Sequence, residues 1–331
     1  MLFRSSDAQV GSFLIARMKK GTIENCNINV HNMSYKTGDT INCSFGCFVG
    51  EIVDTFGNSS VDTIGFNPAE NQVTILNCTV SGAMCFDQIN AFNVFTYGGF
   101  IGKIYKTTNP EGLTQTIMID KCKNLISDGD CSIGTSSYNT IHLAGFVGSI
   151  GGSRTMFRIR NCLNKQEISL DCSEGSGYSF LSGFVNLVEL DVPQCSITNC
   201  VQAGAIWSMK SSYSYASGCI TTYEPMGTYD CHATVSYCAV TNAYNSRAVN
   251  YNVVSNEVRV SPTNVYYYDY YFPTADINYK AFNHTSDTSK QMEIDEGVYK
   301  SKSDGNVISS MYLRSGGIFV TWQPNLEDWT E

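Results

Sequence analysis

The chain has 331 residues, of which 43% are hydrophobic and only 15% charged, against roughly 25% charged in an ordinary globular protein. That balance supports a large core and excludes disorder over most of the length. A net charge of −9, with no Lys/Arg run longer than Lys19-Lys20, excludes a nucleic-acid groove or an anionic membrane surface as the primary partner.

From the start of the chain, Met1 to Ser6 lack the charged, apolar and small-residue order of a secretory leader. The apolar stretch Phe13-Leu14-Ile15-Ala16 is far short of the ~20 residues that span a bilayer. Taken alone, these features place the chain in the cytosol and predict no membrane insertion. The first residues already fall inside a repeat, so the cytosolic reading holds only if Met1 is the true N-terminus.

Two short marks then alternate along the chain. One is small-small-Phe-aliphatic, usually followed by Gly. It reads Gly46-Cys47-Phe48-Val49-Gly50, Gly98-Gly99-Phe100-Ile101-Gly102, Ala144-Gly145-Phe146-Val147-Gly148 and Ser182-Gly183-Phe184-Val185-Asn186, with degenerate copies around Phe13 and Cys219. The other is aliphatic-x-Asn-Cys and ends at Cys26, Cys78, Cys122, Cys162, Cys200 and Cys238; Lys121 and Tyr237 replace Asn in two copies. From each Cys to the next Phe mark the separation is 22, 22, 24, 22 and 19 residues, whereas the return distance runs from 13 to 30. One arc of the unit is fixed and the other accepts insertions, as in a stack of repeats.

Around both marks apolar residues alternate, β-branched residues are dense, and Gly, Asn and Ser punctuate every few positions. No window carries a helical stripe. The pattern predicts an all-β chain: a parallel β-solenoid of about six irregular coils over residues 1–244, with irregular terminal coils and a cap over 245–331. A β-propeller of four-stranded blades is the competing architecture.

In a stack, Phe48, Phe100, Phe146 and Phe184 form one inward ladder, and Cys26, Cys78, Cys122, Cys162, Cys200 and Cys238 another. Gly beside Phe permits a tight corner, and Asn before Cys sits at a turn where its amide bonds a neighbouring backbone group. Ladder cysteines act as small hydrophobes, and in-register thiols pointing the same way predict no disulfides along the row. The sequons at Asn32, Asn42, Asn58, Asn77 and Asn283 match chance and carry no information on compartment.

These motifs resemble the G-L-x-G ("GLUG") repeats of bacterial and protist surface proteins, in which G-G-L-V-G alternates with I-x-N-C. The resemblance covers residues 11–240 and departs in using Phe for Leu, in longer units and in losing the last Gly at Asn186. It implies a β-solenoid module of an adhesin or another large extracellular protein, and so a place at the cell surface. The compartment is therefore open between the two readings.

Chemistry finds little footing in the sequence. Asp128-Gly129-Asp130 reads as a solvated turn, Gly148 to Ser153 as a corner rather than a phosphate loop, and His142 as a strand-edge residue rather than a general base. Cys231-His232 with Cys219 and Cys238 is the one Cys/His group, and two of its members belong to the repeat, so no metal or other cofactor is expected. Fifteen of the 20 tyrosines lie from Tyr213 onward. Within that tail, Tyr266, Tyr267, Tyr268, Tyr270, Tyr271 and Phe272 are the candidate binding residues for a protein or glycan. The insertions Asp54 to Gln72 and Lys106 to Thr116 are the other candidate surface. The function expected is a non-enzymatic structural or adhesive scaffold within a larger surface or assembly protein. The alternatives are an intracellular scaffold of a large complex, such as a cytoskeletal one, and a carbohydrate-active solenoid enzyme.

Overall fold

Runs of four to six β-branched and aromatic residues, each broken by Gly, Asn or Ser, are too short for helices and long enough for strands. In the computed structural model, every regular element among the described residues is a strand. The structure describes residues 9–53, 72–104, 115–128, 130–132, 140–151, 155–171, 178–187, 194–204, 206–208, 214–222, 232–236, 238–240, 244–246, 249–251, 259–263, 266–268, 290–295, 298–301 and 307–308.

The strands fall into three sheets. The first sheet holds the strands between each Cys and the next Phe mark. The second follows each Phe mark, from Ile15–Met18 through Val49–Ile52, Ile101–Ile104, Val147–Ile150 and Val185–Leu187 to Ile220–Thr222. The third precedes each Cys, as Gly21–Glu24, Gln72–Leu76, Gln115–Asp120, Thr155–Arg160, Gln194–Thr198 and His232–Ser236, and ends on Arg259–Thr263, which no Cys follows. Each strand pairs in parallel with its counterpart one repeat away. In the third sheet the register places Ile23, Ile75, Ile119, Ile159, Ile197 and Val235 in one row. Propeller blades are antiparallel, so this pairing fits stacked repeats instead. Antiparallel pairing enters only near the end, where Lys290–Asp295, Val298–Ser301 and Val307–Ile308 fold on one another.

The first two repeats cross the first sheet as 20-residue strands, Asn27–Gly46 and Thr79–Gly98. Later repeats break the same path into Lys123–Asp128, Asp130–Ser132 and Thr140–Ala144, all paired to Thr79–Gly98. Asp128 and Asp130 thus end and begin two strands of one sheet.

The Phe mark is the corner between the first and second sheets. Phe48, Phe100, Phe146 and Phe184 are fully buried. Successive ring centroids lie 4.9, 4.6 and 5.1 Å apart, with the first two pairs stacked almost parallel at 12° and 7°. Each corner is tied to the next by one carbonyl accepting two N–H groups: Phe146 O takes those of Phe100 and Ile101, and Phe184 O those of Phe146 and Val147. Phe13 does not join this row; it is 41% exposed and meets Phe45 edge-on at 5.4 Å.

The Gly after Phe serves close approach between sheets. A Cβ on Gly148 would collide with the carbonyls of Gly102 and Tyr97. One repeat later the residue is Asn186, whose Nδ2 donates to the equivalent carbonyls of Leu143 and Gly148, both at 3.0 Å. At the following position Thr221 Oγ1 donates to Leu181 O at 2.7 Å. The apparent loss of the motif is thus a switch from backbone contact to a hydrogen bond.

Replacing Phe146 by Ala should cost ~3–5 kcal/mol, since two flanking rings lose their partner and the site cannot collapse in a fixed register. Equilibrium urea unfolding measures this; a loss below ~1 kcal/mol would contradict a packed ladder.

Candidate binding face

The corner between the third and first sheets is built on the Asn of the second mark. Asn25, Asn77, Lys121, Asn161 and Asn199 all have φ between 50° and 56°, a left-handed conformation that Asn tolerates better than most side chains. Their amides bond one another rather than a backbone group, which corrects the sequence expectation. Asn77 Nδ2 donates to Asn25 Oδ1 at 2.6 Å, and Asn199 Nδ2 to Asn161 Oδ1 at 3.1 Å. Lys121 interrupts the row, and Asn161 Nδ2 turns to Asp120 Oδ1 at 2.8 Å.

The Cys that follows points inward. Each thiol from Cys78 to Cys238 donates to the carbonyl two residues before it and to that of the row aliphatic one repeat earlier; Cys122, for example, bonds Asp120 O at 3.2 Å and Ile75 O at 3.5 Å. Cys78, Cys122, Cys162, Cys200 and Cys238 are buried, Cys26 is half-buried, and none of these six forms a disulfide. Burial, and then the neighbouring thiols, push the Cys162 and Cys238 thiols well above their usual range. They are neutral fillers. Cys231 lies outside the described residues, and among the described residues no group of His, Cys, Asp and Glu could hold a metal ion.

Behind this corner, buried amides cross the interior. Asn124 Nδ2 donates to Gly145 O at 2.6 Å and to Gln166 Oε1 at 2.7 Å, while Tyr97 Oη donates to the same Gln166 oxygen at 3.0 Å. Asn164 repeats the device on Gly183 O and Gln202 Oε1. This is the second reason for Gly beside Phe: a Cβ on Gly145 would strike the Asn164 amide.

His142 was expected at a strand edge; it lies inside the first sheet, paired in register with Thr96 on one side and Phe180 on the other. Its ring stacks on Phe180 at 5.0 Å, and its Nδ1 has no hydrogen-bond partner. Burial, then the Lys103 charge, lowers its pKa from 6.5 to about 3. The folded state therefore holds His142 neutral.

The exposed surface best defined by the strands is the outer face of the third sheet. One outward row reads Thr22, Thr74, Met118, Arg158, Ser196, Thr234, and the next Glu24, Leu76, Asp120, Arg160, Thr198, Ser236. Arg158 and Arg160 are exposed. Arg160 Nη2 meets Asp120 Oδ2 at 2.8 Å, so the buried Asp120 carboxylate is held by Arg160 and Asn161 together. Arg158, Lys121 and Lys165 have no ion-pair partner among the described residues. Glu51, the other buried acid, is bound by Arg17 at 3.0 Å and by Ser44 at 2.8 Å.

Of the aromatic candidates, Tyr266–Tyr268 is a strand paired in parallel with Ala239–Val240 and with Lys290 to Met292. Tyr270, Tyr271 and Phe272 lie outside the described residues, as do 54–71 and 105–114 of the two insertions. Sequence reasoning did not find the third-sheet face, although the spacing of Arg158 and Arg160 before Asn161-Cys162 carried it. No helix among the described residues is long and apolar enough to cross a membrane. Comparison with protein families, with curated proteins and with solved structures found no match.

Two measurements test these assignments. Lowering the pH from 6.5 towards 3 should destabilise the fold, because the unfolded chain takes up a proton at His142 that the folded chain refuses. His142→Phe, which continues the Phe180 stack, should remove that part of the pH dependence in urea melts. Lys121→Asn should raise stability by ~0.5–1.5 kcal/mol, by closing the gap in the amide row and easing the left-handed backbone.

Proposed function

We propose that the chain is a non-enzymatic β-solenoid scaffold of about six coils with a C-terminal cap, part of a larger surface or assembly protein. Its role is to hold a fixed outer surface against a protein or glycan partner. The observation that supports this most is how the chain uses its motif residues: Phe and Asn meet their own counterparts one repeat on, Cys and Gly meet the backbone of the neighbouring repeat, and so all four serve the stack. The two buried carboxylates, Glu51 and Asp120, are neutralised by Arg17 and Arg160.

Incubation with pectic, β-glucan and chitin oligosaccharides, followed by mass spectrometry, is expected to give no shortened product. Cleavage would assign the carbohydrate-active reading instead.

An intracellular scaffold is the second reading, favoured by the six ladder thiols from Cys26 to Cys238, since unpaired thiols persist in reducing compartments. Thiol titration of the unfolded, unreduced protein separates the two: most of the fourteen cysteines free supports the intracellular site, and five or more disulfides the cell surface.

A further inference from the structure

The outer face of the third sheet carries an uneven charge. Arg158 and Arg160 lie two residues apart on one strand, roughly 7 Å along it. Lys121 occupies the adjoining corner of the neighbouring repeat, and Lys123 and Lys165 follow on the first sheet beyond it. The acids nearest in sequence are Asp120, buried and held by Arg160, and Glu167, two residues past Lys165. On both sides of this ridge along the stack the rows are mostly uncharged: Thr22, Thr74, Leu76 and Asn77 before it, with the acid Glu24 at the first rung, and Ser196, Thr198, Asn199 and Thr234 after it. A chain of net charge −9 thus sets Arg158, exposed and without an ion-pair partner among the described residues, beside Arg160 and the Lys121 corner.

Resting on the scaffold reading, we propose that this face binds an anionic polysaccharide, laid along the stack axis across Met118, Arg158, Ser196 and Thr234. Its carboxylate or sulfate groups sit on Arg158, Arg160 and Lys121. The rungs repeat at roughly 4.8 Å, close to the length of one sugar unit in an extended glycan, so successive hydroxyl rungs meet successive rings. The half-buried Met118 and Met156 give the rings an apolar floor. Arg supplies the planar fork that oxyanions accept.

A peptide strand needs a free sheet edge, and the strands at this ridge are already paired on both sides. A single-stranded nucleic acid needs aromatic stacking platforms, and the described outward rows of this face contain none.

The test is isothermal titration of the full chain with heparin and with polygalacturonate, using dextran and duplex DNA as controls. Binding to either acidic polysaccharide at low salt, lost as salt rises and absent for dextran, is expected; the stronger of the two identifies sulfate or carboxylate as the group read. Arg158→Glu should weaken binding by roughly tenfold or more with the melting temperature unchanged. Lys121→Asn should weaken it less while stabilising the fold. No binding to either polysaccharide, equal binding by Arg158→Glu, or tighter binding to DNA would overturn the assignment. Depolymerisation of a bound glycan would instead overturn the non-enzymatic reading, and loss of binding alone leaves that reading standing.

Discussion

Everything in this structure depends on parallel pairing that brings each position against its own counterpart one repeat away. Such pairing rewards residues that bind themselves. Aromatic rings stack on like rings, amides donate to like amides, and a small thiol fills the same hollow each time. A charge is penalised in the same geometry, because its counterpart would repel it at about one strand spacing. Where charges occur in a row, the signs alternate or the neighbours are neutral: Arg17, Glu51 and Lys103 in the second sheet, Asp120 and Arg160 in the third. The low charge content of the chain follows from that constraint.

The exceptions are local repairs. Lys121 cannot join the amide row, so Asn161 takes Asp120 as acceptor, and Asp120 in turn is steadied by Arg160. Asn186 replaces a Gly and converts a close backbone approach into three hydrogen bonds, to Leu143, Gly148 and Phe180. Buried amides at Asn124 and Asn164 would be costly if unpaired; each is met by a carbonyl on the next corner and by a Gln oxygen. The motif therefore varies without breaking because each variant brings its own partner.

Much of this was legible in the residues, because period and identity are the same signal in a stack. The Phe and Cys rows, the strand type and the parallel register follow from marks that recur at near-constant distance. The amide row was half legible: Asn at a turn is a local property, whereas bonding to another Asn 52 residues away is not. His142 was misplaced because its strand neighbours from two other repeats, Thr96 and Phe180, and not its own segment, enclose it. The cationic ridge was missed for a similar reason: Arg158 and Lys121 are 37 positions apart in sequence, and only the register makes them neighbours. The Tyr266–Phe272 segment drew attention by composition, and composition does not orient side chains.

The amide row also has a direction. Asn77 donates back to Asn25, Asn161 to Asp120 and Asn199 to Asn161, always towards the earlier repeat. Each new turn of chain therefore finds an acceptor already fixed in place by the turn before it. During synthesis on the ribosome this suits growth from the amino end, each arriving segment templated by a finished surface. It also makes the unit editable: excising the 38 residues from Cys162 to Asn199 joins the acceptor Asn161 to Cys200, the donor's successor, and leaves the row in phase. A gene built this way can shorten or lengthen by whole turns.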